Sequence, residues 1–94
     1  MRLGPDALQQ FKALSAAERS RLKKAMQAAL GDDDATSVSK NRFRLRGPVQ
    51  QFEFEFRDNN LRVFYRVADD QVLVDAIGHK KGNRLIIGGR KVSL

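Results

Sequence analysis

Apolar positions recur every three to four places along the first thirty residues. Leu8, Phe11 and Leu14, with Ala7 beside them, mark one stripe, and Leu22, Ala25, Met26, Ala29 and Leu30 mark a second. Gly4-Pro5-Asp6 opens the first stripe, because Pro suits an opening helical turn and Asp its positive end. The spacing predicts a helix over about 5–14. Ser15-Ala16-Ala17-Glu18 has the form of a capping box and starts a second helix. Arg21, Lys24 and Gln27 fall on its wet side, and Gly31 is placed to end it. Asp32-Asp33-Asp34 opposes the negative helix end, so the helix is expected to stop there. The short join at Leu14-Ser15 predicts an antiparallel helical hairpin over about 5–30.

After a polar loop at 31–39 the period falls to two. Arg42, Arg44 and Arg46 alternate with Phe43 and Leu45. Phe52, Phe54 and Phe56 alternate with Glu53, Glu55 and Arg57. Leu61, Val63, Tyr65 and Val67 alternate with Arg62, Phe64 and Arg66, and Val72, Val74 and Ala76 with Leu73, Asp75 and Ile77. Gly47-Pro48, Asp58-Asn59-Asn60 and Asp69-Asp70 are turn chemistry, and Gly88-Gly89 joins a last small hairpin over 84–94. The whole is a single α+β domain of residues 1–94, with the hairpin packed on one face of an antiparallel β-meander over about 40–94.

The turns fix a register on paper. A two-residue turn at Asn59-Asn60 sets Phe56 opposite Val63, Phe54 opposite Tyr65 and Phe52 opposite Val67, all apolar. A turn at Asp69-Asp70 sets Val67 opposite Val72, Tyr65 opposite Val74 and Val63 opposite Ala76. The reverse face then gathers Arg42, Arg44, Arg46, Glu53, Glu55, Arg57, Arg62, Arg66 and Asp75 around Phe64, with Glu53 opposite Arg66 and Asp75 opposite Phe64. A solvated face with ion pairs worth under about 1 kcal/mol each is the bland account. Arg57 opposite Arg62 argues for more. Like charges in direct opposition cost stability unless an anion, phosphate above all, lies between them.

Charge sharpens this picture. The chain carries +7, yet residues 1–39 hold six basic and five acidic residues while residues 40–94 hold twelve and six. The surplus therefore belongs to the sheet and suggests an anionic partner. The absence of Cys excludes a disulfide scaffold and thiolate chemistry. No 18-residue apolar run or signal segment is present, which predicts a cytoplasmic protein with no membrane partner. No Gly-rich phosphate loop, nucleophile elbow or metal-ligand spacing stands out, so no metal and no cofactor is expected. The Asp32–Asp34 run reads as a solvating loop, and the basic residues Arg19, Arg21, Lys23 and Lys24 as the wet side of a helix.

Phe43-Arg-Leu-Arg-Gly47, Phe52-Glu-Phe-Glu-Phe-Arg57, Leu61-Arg-Val-Phe-Tyr-Arg-Val67 and Ile77-Gly-His-Lys80, in this order after two helices, resemble the RelE/ParE toxin superfamily across about residues 5–82. The resemblance implies a RelE-like fold and the toxin of a type II toxin–antitoxin pair, held inactive by a cognate antitoxin protein. The RelE branch implies an endoribonuclease that cuts mRNA on the ribosome without a metal. The ParE branch implies a non-nuclease inhibitor of DNA gyrase. A catalytically inactive RNA-binding relative is a third reading. The family opens with a strand, for which Met1-Arg2-Leu3 is short. Either the start is truncated or the Gly88-Gly89 hairpin takes that place.

By position, the resemblance makes Arg62 a phosphate-binding arginine and Lys80 the cation after the Gly-His motif. Glu53 and Glu55 stand where the best-known nuclease branch has lysines, and Ile87 near where it has a catalytic tyrosine. Attack of a 2′-hydroxyl on phosphate needs a base, cations and a proton donor to the leaving oxygen. Glu53 or Glu55 is then the base, with His79 or Lys81 donating and Lys80 among the cations that hold phosphate, or cleavage is altered or absent. Arg44, Arg46, Arg57, Arg66, Lys81 and Arg84 complete the expected phosphate contacts.

Overall fold

The computed structural model describes residues 1–32, 36, 41–49 and 52–92, with the side chains of Asp32, Phe43, residues 46–49 and Val92 outside that description. The elements are β1 (Arg2–Leu3), α1 (Pro5–Lys12), α2 (Ala16–Met26), β2 (Arg42–Val49), β3 (Phe52–Asp58), β4 (Leu61–Ala68), β5 (Gln71–Lys81), β6 (Arg84–Ile87) and β7 (Arg90–Val92). This is an α+β fold of two helices and an open sheet that is antiparallel except at β1.

Both helices begin as the sequence dictates. Pro5 stands at the start of α1. At α2 the Ser15 hydroxyl accepts from the Glu18 amide and the Glu18 carboxylate accepts from the Ser15 amide, each at 3.2 Å. The close junction has a further support. Arg19 Nη1 donates to the Lys12 carbonyl at 3.2 Å and to the Leu14 carbonyl at 2.7 Å, satisfying acceptors that the end of α1 leaves open. The second helix does not stop before Gly31. It widens into a π-helical turn over Gln27–Asp32, and Arg42 Nη1 reaches across from β2 to the Ala29 carbonyl. Residues 33–35, with two of the three predicted loop aspartates, lie outside the described residues.

The sheet runs β2-β3-β4-β5-β6-β7, with β1 added parallel to β5 through Arg2↔Leu73 and Leu3↔Val74. Met1-Arg2-Leu3 thus does supply a strand, and it shares one edge of β5 with β6, which pairs only with residues 78–81. Asp69 and Asp70 both take positive φ, as do Gly88 and Gly89, the geometry that tight two-residue hairpins require.

One face carries the main core. Ala7, Leu22, Met26 and Leu30 pack against Phe54, Phe56, Leu61, Val63, Tyr65, Val72, Val74 and Ile77. The predicted pairs Phe54↔Tyr65, Phe56↔Val63, Tyr65↔Val74 and Val67↔Val72 all form.

Four expectations are corrected. Gly47-Pro48 is not a turn but part of β2, whose register with β3 shifts between Arg44 and Val49. Five steps on β2 answer two on β3, and Pro, lacking an N–H, is tolerated on such a bulged edge strand. Arg42 and Arg44 pair with Phe56 and Phe54, which places them on the helix-bearing face rather than the reverse. Phe52 leaves the core layer and stacks on Phe64, ring centroids 5.0 Å apart. Finally, Val63 meets Ile77 and Phe64 meets Ala76, because Asp75 is an unpaired extra residue in β5. The reverse face therefore holds a second apolar cluster of Phe64, Ala76 and Leu85, flanked by Leu45, Phe52 and Ile87.

Loss of the cap hydroxyl in Ser15→Ala should lower stability by about 1 kcal/mol, read from the denaturation midpoint. The Ser15 amide, and after it the Ser15 hydroxyl, hold the Glu18 carboxyl below its ordinary 4.5. That contribution is complete above the ordinary value and is lost as pH falls through the lower folded one. Glu18→Gln should accordingly lose less stability on acidification than the parent.

Candidate nucleic-acid interface

On the reverse face β3 and β4 set Arg57 directly opposite Arg62, as alternation requires. Glu55, two residues back and 3 % exposed, accepts from Arg57 Nε at 2.8 Å. Burial of a carboxylate is tolerable only with such a partner. Arg62 Nη1 folds onto the hairpin turn, donating to the carbonyls of Asn59 at 2.7 Å and Leu61 at 2.9 Å. Its Nε is buried without a partner. Burial lowers the Arg62 guanidinium's pKa first and the Arg57 charge lowers it further, while Glu55 pulls the other way. Two guanidinium groups thus stand opposite each other, Arg57 bonded to the buried Glu55 carboxylate and Arg62 to backbone carbonyls, and a phosphate is an anion that both could bind.

The bulge at Asp75 decides what β5 adds. Beyond it Gly78 lies opposite Arg62 and His79 opposite the core residue Leu61. Strand alternation then puts Lys80 on the Arg57–Arg62 face and His79 on the helix-bearing one. The Lys80 amide bonds the Asn60 carbonyl at 2.7 Å, fixing this strand end beside the turn that Arg62 grips. Gly78 is required for a close approach. A Cβ there would stand 2.6 Å from the Ile86 carbonyl oxygen and 2.7 Å from an Ile87 side-chain carbon.

The remaining candidates lie elsewhere. His79 lines a cleft of about 200 Å³ with Gln10, Leu14, Ile77, Ile86 and Gly88. Lys81 and Arg84 pair with each other on that helix-bearing side and are exposed. Arg66 binds Asp75 through two bonds of 2.8 and 3.0 Å at the far end of the reverse face, and that hydrogen-bonded partner raises the Arg66 pKa. Glu53 lies 3.7 Å from Arg44, whose guanidinium also sits 5.4 Å from the Phe54 ring centre. Arg46 belongs to the bulged stretch of β2, and its side chain is outside the description.

The structure thus brings together Glu55, Arg57, Arg62 and Lys80. It separates them from His79, Lys81, Arg84 and Arg44 by the thickness of the sheet, and from Glu53 and Arg66 along it. Among the described residues no group of three His, Asp or Glu side chains is placed to hold a metal ion. None of the helices described is long and apolar enough to cross a membrane. No family model, curated protein or solved structure matches the chain.

Removal of Arg57 should strand the buried Glu55 carboxylate. Arg57→Met is expected to cost about 1–3 kcal/mol. Glu55→Gln in the same chain should recover part of that loss, so a double-mutant cycle of denaturation midpoints should show clear coupling.

Proposed function

We propose that this chain is the toxin of a type II toxin–antitoxin pair, of the RelE type, and that it acts on RNA at the Arg57–Arg62 face. The observation that carries the reading is the direct opposition of Arg57 and Arg62, with the buried Glu55 carboxylate beside Arg57 and Lys80 on the same face. The short strand β1 ahead of α1, where the RelE/ParE resemblance expects a strand, supports it. So does the order of two helices, read here as a hairpin, before the meander. In this reading the substrate is mRNA on the ribosome, the setting is the cytoplasm, and a cognate antitoxin protein holds the toxin inactive.

The chemistry asks for a base, charge at the phosphate and an acid. Glu55 takes the proton of the 2′-hydroxyl, and the oxygen attacks the adjacent phosphorus. Arg57 and Arg62 bear the negative charge that builds on the phosphate oxygens. The bond to the 5′-oxygen breaks as Lys80 returns a proton to it, leaving a cyclic phosphate and a free 5′-hydroxyl. His79 has no part, because it belongs to the other face.

One observation favours a second reading, RNA binding without cleavage. Glu55 is 3 % exposed and its Oε2 already accepts from Arg57 at 2.8 Å, so burial and the ion pair both limit its reach and its basicity toward a substrate hydroxyl.

Controlled expression with mapping of RNA ends separates these. The nuclease reading predicts growth arrest with newly cut transcripts, both abolished in an Arg62→Ala, Lys80→Ala double variant. Arrest with intact transcripts would sink it, and inhibited plasmid supercoiling by the pure protein would move the assignment to a gyrase inhibitor.

A further inference from the structure

The register continues beyond the pair of arginines. Arg57 lies opposite Arg62, Arg62 opposite Gly78, Gly78 opposite Ile87 and Ile87 opposite Arg90. These five residues form one transverse row on the reverse face, because directly opposed residues in antiparallel strands point the same way. Arg90 is exposed and stands three strands from Arg62, about 14 Å at a strand spacing of about 4.8 Å. Between them the row is low and apolar, since Gly78 has no side chain and Ile87 lies against it. Lys80 and Leu85 form the next row. Among residues 80–91 five are basic and none acidic, so nothing within this hairpin neutralises Arg90.

We propose that Arg90 is a second phosphate contact, and that a single-stranded RNA crosses the strands along this row from Arg57–Arg62 to Arg90. The occupant follows from charge and shape. A cationic centre, an apolar floor and a further cation fit a chain of phosphates joined by flat, partly apolar bases. This rests on the reading of Arg57 and Arg62 as a phosphate site, and adds the direction of the strand and its far anchor.

Lys91 supplies the control. It carries the same charge one residue on, opposite Ile86 and therefore on the helix-bearing side. Binding of labelled, non-cleavable single-stranded RNA of increasing length is measured against salt for the parent, Arg62→Ala, Arg90→Ala and Lys91→Ala. Arg90→Ala should reduce the slope of log affinity against log salt by about 0.7, the value of one phosphate contact on a single strand. The reduction should appear only once the oligonucleotide is long enough to span the row, and Lys91→Ala should leave the slope unchanged. Equal losses in Arg90→Ala and Lys91→Ala would show diffuse attraction and overturn the track. A loss in Arg62→Ala without one in Arg90→Ala overturns this inference alone. No loss in Arg62→Ala overturns the phosphate site itself. Stronger binding of an acidic peptide than of RNA would overturn the choice of occupant.

Discussion

Asp75 is an extra residue in β5, held against Arg66 by two hydrogen bonds of 2.8 and 3.0 Å. Because side chains alternate along a strand, one inserted residue moves everything after it to the other face. Ile77 takes the core position that regular alternation would give to Ala76, and the core gains the larger side chain. Gly78 then comes opposite Arg62, Lys80 joins the arginines, and His79 passes to the helix side. The composition of both faces beyond Tyr65 follows from that insertion and from the ion pair that holds it.

Charge on the reverse face is consequently divided. Phe64, fully buried between Arg62 and Arg66, is the centre of an apolar cluster that separates two electrostatic settings. At one end Arg66 and Asp75 satisfy each other with both carboxylate oxygens engaged. At the other, Glu55 is bonded to Arg57, and Arg62 keeps a buried Nε without an acceptor. The first is a closed pair with little to offer a ligand. The second leaves the buried Arg62 Nε with a hydrogen to donate.

Much of this was legible in the residues. The capping box at Ser15, the turns at Asn59-Asn60 and Asp69-Asp70, and the opposition of Arg57 and Arg62 all follow from local rules that nothing later overrides. The errors arose where a strand departs from a period of two. Alternation alone cannot reveal a bulge, although Ala76-Ile77, a small residue beside a large one, hinted that the core would prefer the second. Pro48 likewise signalled an interruption, and an edge strand absorbed it as a bulge rather than a turn. Arg42 reads as a wet-face residue because it is charged, yet its guanidinium satisfies the Ala29 carbonyl from a position only 8 % exposed. Nothing in the sequence distinguishes Arg90 from its basic neighbours, and only the ladder through Gly78 and Ile87 aligns it with Arg62.

The proposed RNA contact puts the phosphate chain on the arginine face and not in the cleft beside His79. Side-chain NMR during titration with a short single-stranded RNA tests it directly. The Nε–Hε signals of Arg57 and Arg62 should move while the imidazole signals of His79 stay in place. Movement of His79, with both arginine signals unmoved, would contradict it.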